Sequence, residues 1–194
     1  MNFLAHIYLS GTNDLIKIGN FMADGIRGKE YLNFHNDVKN GILLHRNIDT
    51  FTDAHPIFRK SKHRLHENYG HYSGVIIDIF YDHFLAKNWS TYSNESLTDF
   101  VTNFYTLLEN NFEILTQKTQ EMLPYMIKFN WLESYQTLDG IEKILIQMDS
   151  RTKNQSKMRF SIIELKQYYA DFESEFFLFF EQMIGFTHEK IAQL

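Results

Sequence analysis

The sequence predicts an all-α protein, and three observations carry that prediction. Apolar residues recur at helical rather than alternating spacing. Only two prolines and nine glycines interrupt the 194 residues, too few for a turn-rich β fold. Cap-type residues stand ahead of several apolar runs. Hydrophobic residues make up 44% of the chain, enough for a sizeable core, and the length suits one domain covering residues 1–194. The expected architecture is a bundle of about seven to eight helices.

The elements follow in order. A short apolar segment covers residues 2–9, and "SGTN" (10–13) is a loop with cap-type side chains. A helix is expected from about Asp14 to Ile26, with Gly28 placed to end it. The next runs from about Asn36 to Thr50. Pro56 marks a break or a first helical turn, and residues 57–69 form a basic amphipathic helix with Phe58 and Leu65 on its apolar side. "GHYSG" (70–74) is a turn before a helix over 75–88. "STYSNES" (90–96) is a loop rich in N-cap candidates. Helices are then expected at about 96–116, 120–136 and 139–149, and a long last one at 155–184.

Charge and composition narrow the function classes. A formal net charge of −5 argues against a general nucleic-acid binder, although a local basic patch can still meet an acidic partner. With no cysteine, disulfides, thiolate metal sites and Cys nucleophiles are excluded. The N-terminus "MNFLAHIYLS" lacks the basic start of a signal peptide, and no apolar run is long enough for a transmembrane helix. A cytoplasmic protein without membrane partners is expected.

The chemistry concentrates in three stretches. "DIFYDHFLAKNW" (78–89) reads as a helix that is apolar almost all round, yet it carries Asp78, Asp82 and His83. Buried carboxylates need a partner: either a cation shared with other residues, or an Arg or Lys from another helix. In "GILLHRNIDTFTDAH" (41–55), His45, Asp49 and Asp53 stack along one helical edge, a spacing that lets two ligands meet one cation. The alternative there is a surface pair on a solvated edge. Arg46 is adjacent, and its planar fork suits phosphate oxygens. In "GNFMADGIRG" (19–28), Asn20 and Asp24 share a face and Arg27 follows. His6 is an isolated imidazole on an apolar segment, where a supporting role is the commoner one. Mixed imidazole and carboxylate ligands suit Mn²⁺, Fe²⁺, Mg²⁺ or Zn²⁺, and such a site would activate water and polarise a phosphoryl or carbonyl oxygen.

Two further features concern partners. "RKSKHRLH" (59–66) places Arg59, Lys60, Lys62 and Arg64 together without an acid, which suggests a dock for an acidic partner unless it is an ordinary solvated face. "FESEFFLFFEQMIGF" (172–186) covers more than one helical face with Phe176, Phe177, Phe179 and Phe180, which implies core packing plus a homodimer or partner contact.

Taken in order, "MNFLAHIYLS", "GNFMADGIRG", "GILLHRNIDTFTDAH" and "DIFYDHFLAKNW", with a looser likeness through "WLESYQTLDGIEKILIQMDSR" (131–151), resemble the acyl carrier protein phosphodiesterases. The resemblance implies hydrolysis of the phosphodiester between 4′-phosphopantetheine and a serine of acyl carrier protein. It also implies a divalent cation, typically Mn²⁺, and a helical fold similar to the HD-type phosphohydrolases. Carried over by position, Asp24, His45, Asp49, Asp78, Asp82 and His83 become candidate metal ligands, and Asp24, Asp49 and Asp82 also candidate water-activating groups. His6 and Asn20 become supporting residues, and Arg27 and Arg46 phosphate contacts. At 82–83 the order is Asp-His, where the HD pattern has His-Asp. Carrier docking at 59–64 is an inference from charge. Two other readings remain open: a metal phosphohydrolase acting on a nucleotide or other small phosphodiester, and a non-catalytic helical module that binds an acidic partner.

Overall fold

The computed structural model describes residues 2–194, and among them every regular element is helical. α1 (Phe3–Tyr8) starts where Asn2 folds its side chain onto the Phe3 N–H. α2 (Asp14–Met22) is capped by Asn13, which accepts from the Leu15 and Ile16 N–H groups. It then tightens into a 3-10 turn over Ala23–Gly25. α3 (Asn36–Ala54) and α4 (Pro56–Tyr69) meet at His55, and Pro56 occupies the first turn of α4, where no intrahelical N–H is needed. α5 (Ser73–Lys87) leads into the single turn α6 (Trp89–Tyr92). Ser96 caps α7 (Leu97–Asn110), accepting from the Asp99 N–H while its hydroxyl donates to the Asp99 carboxylate. α8 (Gln117–Lys128), α9 (Trp131–Ser134), α10 (Leu138–Arg151), α11 (Ile162–Gln167) and α12 (Tyr169–Ile191) complete the chain.

The buried apolar side chains form one continuous core from Leu4 to Met183. α5 runs through it, and Ile76, Ile77, Ile79, Phe80, Tyr81 and Phe84 have no exposed surface. The segment 78–89 is thus buried on nearly every side, as its composition requires. Phe172, Phe176, Phe179 and Phe180 of α12 are likewise fully buried, and each contributes about 2 kcal/mol by leaving water. Of the large apolar residues in the aromatic run only Phe177 and Leu178 are exposed, so its main role is the core.

Four expected helices are broken or cut short in the structure, and the 96–116 helix is one, ending at Asn110 before a 3-10 turn over Phe112–Ile114. The 14–26 helix ends at Met22, and this turns Asp24 away from the helical register of Asn20. The 120–136 helix divides because Asn130 adopts the left-handed conformation, with φ 44°. The 155–184 helix cannot start at 155: Lys153, Asn154 and Lys157 all have positive φ, and the chain is regular only from α11 onward. Asparagine tolerates this conformation, but lysine gives no such signal in sequence.

α2 and α3 approach each other closely through their backbones. A Cβ on Gly41 would lie 2.2 Å from the Ile16 carbonyl oxygen, and one on Gly19 would lie 2.2 Å from the Val38 carbonyl oxygen. Only glycine fits at these two positions. Their contact brings the backbone of Asn20 against the side chain of His45.

Candidate metal centre

Four residues from three elements converge where α1, α2 and α3 meet. His6 comes from α1, His45 and Asp49 from successive turns of α3, and Asp24 from the turn after α2. The His6 and His45 rings stack with centroids 4.0 Å apart. Asp49 reaches both: Oδ1 lies 3.3 Å from His6 Nε2, and Oδ2 lies 3.1 Å from His45 Nε2. Asp24 Oδ1 lies 3.3 Å from His45 Nε2. His6, His45 and Asp49 each offer a ligand atom, all within 4.8 Å of one another, a grouping that can hold a metal ion.

Asn20 sets the orientation of both imidazoles. His6 Nδ1 lies 2.8 Å from Asn20 Oδ1, and His45 Nδ1 lies 2.8 Å from the Asn20 carbonyl oxygen. Both partners are acceptors, so each Nδ1 carries the proton and donates. The amide is fixed in this sense because Asn20 Nδ2 donates to the His6 carbonyl and to Ser10 Oγ. Each Nε2 then faces the carboxylates and presents a lone pair when its ring is neutral. His6 Nε2 is buried and makes no hydrogen bond among the described residues. Lone pairs that face carboxylates this closely need a proton or a cation between them.

The proton affinities follow from this geometry. Burial, with His45 beside it, holds the His6 imidazole down at about 4. His45 is also penalised by burial, but its bonds to Asp24 and Asp49 outweigh this and raise it to about 9. Asp24 is held low by its bond to His45. Asp49 is held low by both imidazoles, despite its own burial. Without a metal, the cluster therefore keeps one proton, on His45, at the place where a cation would bind.

The cluster borders a cavity of about 420 Å³. Asp24, His45, Asp49, Asp53 and Asp78 line one part of it. Asp78 thus reaches the cavity, as a carboxyl that burial pushes up. The rest of the wall comes from α8, α9 and α10, including Trp131, Tyr135, Lys118 and Arg151. Sequence reasoning missed Lys118 and Arg151, whose positions 70 to 100 residues further on carry no spacing signal.

Asp82 and His83 have other partners. Asp82 is fully buried and accepts from the N–H groups of Asn2, Leu4 and Ala5 at 3.3, 2.8 and 3.3 Å, so it anchors the start of α1. Burial pushes its carboxyl up to about 7, against the pull of those donors. His83 uses both nitrogens: Nδ1 donates to the Tyr135 carbonyl and Nε2 accepts from the Tyr169 hydroxyl, each at 2.8 Å. Neither residue is placed to share an ion with Asp49. Their buried polarity is matched by N–H, C=O and O–H groups of the chain.

The arginines expected at the phosphate also stand elsewhere. Arg27 is exposed and does not line the cavity. Arg46 lies over the Tyr31 ring at 5.0 Å and donates to the Ile26 carbonyl, which fastens the segment after Asp24 to α3. In the basic stretch, Arg64 makes a two-pronged bond with buried Glu175, both contacts at 2.8 Å, and Lys60 lies 3.0 Å from the same carboxylate. Arg59 donates to the Asp53 carbonyl. Arg64 is thus an internal counter-ion of α12, while Arg59 and Lys60 keep exposed charge.

No helix among the described residues is long and apolar enough to cross a membrane. Comparison with known proteins gives a consistent picture. The family model described as acyl carrier protein phosphodiesterase matches residues 1–183. A protein of that name from Photorhabdus laumondii is 34% identical over 194 residues, covering 98% of this chain and 96% of its own. One from an Enterobacter species is 31% identical over 95% of this chain and 96% of its own, and one from Yersinia enterocolitica 28% over 98% and 99%. No solved structure matches. The ordered motifs, the full-length relatives and the helical frame that gathers His6, Asp24, His45 and Asp49 agree: the chain belongs to the acyl carrier protein phosphodiesterase family.

Proposed function

We propose that this protein hydrolyses the phosphodiester that joins 4′-phosphopantetheine to the serine of acyl carrier protein, leaving the apo carrier, with Mn²⁺ as its metal. The observation that carries this is the cluster of two Nε2 lone pairs and two carboxylates at the edge of a cavity. His6, His45 and Asp49 would hold the cation, with Asp24 as a further ligand or as the acceptor of the water proton. A divalent cation there supplies Lewis acidity toward a phosphoryl oxygen and toward water. Asn20 keeps both imidazoles turned toward the ion. Asp24 and Asp49 hold negative charge at the cavity, which the bound cation would offset for an approaching phosphate. Lys118 and Arg151, which line the cavity, would meet the phosphate in place of Arg27 and Arg46. Docking of the acidic carrier on the remaining exposed charge of Arg59, Lys60 and Lys62 is part of this reading.

The test is incubation with holo-acyl carrier protein and Mn²⁺, followed by mass measurement of the carrier. Loss of the phosphopantetheine mass is the expected result. A carrier unchanged with Mn²⁺, Mg²⁺, Fe²⁺ and Zn²⁺ in turn overturns the reading.

A further inference from the structure

The half of the cavity made by α8, α9 and α10 has a composition unlike the acidic half. α10 sends Ile144 and Met148 into it, with Gln147 and Arg151 beside them, each pair one helical turn apart. α9 supplies Trp131, and α8 supplies Lys118 and Met122. α10 lies against the end of α9 because Gly140 has no side chain: a Cβ there would sit 1.9 Å from the Ser134 carbonyl oxygen. The result is an apolar trough with two cationic side chains and one carboxamide.

Two residues that line this cavity carry a buried donor with no hydrogen-bond partner among the described residues. The donors are Trp131 Nε1 and Thr52 Oγ1. An indole N–H can only donate, so Trp131 calls for an acceptor on whatever enters. Leaving such a donor buried and unpaired is costly, and a ligand carbonyl removes that cost. A cavity of about 420 Å³ suits a small molecule or a flexible arm and is far too small for a folded partner.

We propose that this half of the cavity is the subsite for the pantetheine arm: Trp131 Nε1–H donates to an arm amide carbonyl, Gln147 pairs with arm amide groups, and Lys118 and Arg151 meet the phosphate. The inference rests on the proposed function and adds the residues that recognise the arm. The arm is linear and mostly aliphatic, with two amides and a phosphate at one end, and the wall offers apolar surface, amide partners and positive charge. Arg151, 5.8 Å from the Trp131 ring, stacks on it and holds the indole in place. The carrier protein itself stays outside.

The experiment is calorimetry on the full chain after chelation of metal, with pantetheine, 4′-phosphopantetheine and AMP as probes. Pantetheine is expected to bind saturably, and Trp131→Phe, which keeps the ring but removes the donor, to weaken it about five- to tenfold. Lys118→Ala, at an exposed position, is expected to leave pantetheine unchanged and to weaken 4′-phosphopantetheine about tenfold, whereas Arg151→Ala, which also removes the support of the Trp131 ring, is expected to weaken both. KM for the holo carrier should rise with the Trp131→Phe change by the same factor. Trp131 is one of two tryptophans, and the other, Trp89, is buried and donates to the Glu95 carbonyl. Quenching of fluorescence by pantetheine should therefore vanish in Trp131→Phe. Unaltered pantetheine affinity in Trp131→Phe overturns the subsite, as does AMP binding as tightly as 4′-phosphopantetheine. If the wild type binds pantetheine but leaves holo carrier intact, the proposed reaction fails and the subsite stands. If it cleaves the carrier and the Trp131→Phe protein keeps wild-type KM, the reverse holds.

Discussion

α3 and α5 each carry His and Asp within one or two turns of helix, yet the structure uses them in opposite ways. On α3, His45 and Asp49 point to the same place, and residues from α1 and α2 join them there. On α5, Asp82 and His83 diverge: one fastens the start of α1, and the other fastens the carbonyl of Tyr135. The difference is what surrounds each helix. The α3 edge borders a cavity, so its polar groups stay accessible. α5 reaches the cavity only near its start, at Val75 and Asp78; Asp82 and His83 lie further along and are buried, so each of these two polar groups takes its own partner from the protein. Both remain tied to the site, since α1 carries His6 and Tyr135 lines the cavity. Residues that look like ligands in sequence can thus be the supports that hold ligands in position.

Several substitutions break or sharpen that contrast. The largest effect on function is expected from Asp49→Ala. It removes the one carboxylate that contacts both imidazoles, and Mn²⁺ affinity and turnover should fall by more than the roughly 10–100-fold typical of outer partners. Its melting temperature should stay close to wild type. A folded Asp49→Ala protein with normal Mn²⁺ affinity by titration calorimetry would remove the cluster from consideration.

Asp82→Ala should show the inverse pattern. Three backbone donors lose their acceptor in a fully buried setting, at a cost of about 3 kcal/mol. For a chain of this size that lowers the melting temperature by about 6–12 °C. Turnover per folded molecule should survive at low temperature. Loss of Mn²⁺ binding without loss of stability would return Asp82 to the ligand set.

Asn20→Ala lies between these cases. It leaves every proposed ligand in place but frees the His6 and His45 rings to turn, so Mn²⁺ affinity should drop about 10–100-fold. The pH dependence is the gentlest probe. His45 carries a proton up to about 9, and that proton must leave before Nε2 can bind a cation. His6 is already neutral above about 4. Mn²⁺ affinity should therefore rise about tenfold per pH unit between roughly pH 5 and 8, with one proton released per ion bound. A flat profile would mean that His45 is not a ligand.

Much of this was legible before the fold was known. The i, i+4 stacking of His45 on Asp49 follows from helical geometry alone, whereas a supporting role for Asn20 was implied only by the family resemblance of "GNFMADGIRG". His6 was underestimated: a lone imidazole on an apolar segment gives no sign that its ring will stack on another one from α3. Arg27 and Arg46 misled because sequence adjacency to a ligand does not set the direction of a side chain. On a helix, the next residue points about 100° away, and Arg46 accordingly meets Tyr31 and not the cavity.

The sequence by itself determined that this chain is helical, that residues 78–89 are buried, and that its carboxylates need partners, because periodicity and the cost of burying charge are local facts. Only the tertiary structure decided which partner each one found. A buried carboxylate is satisfied equally by a cation, by a basic side chain or by backbone N–H groups, and these are supplied by elements far away in sequence. The close approach of α2 and α3 at Gly19 and Gly41, the seating of α1 on Asp82, and the arrival of Lys118, Trp131 and Arg151 from the other half of the chain made those choices.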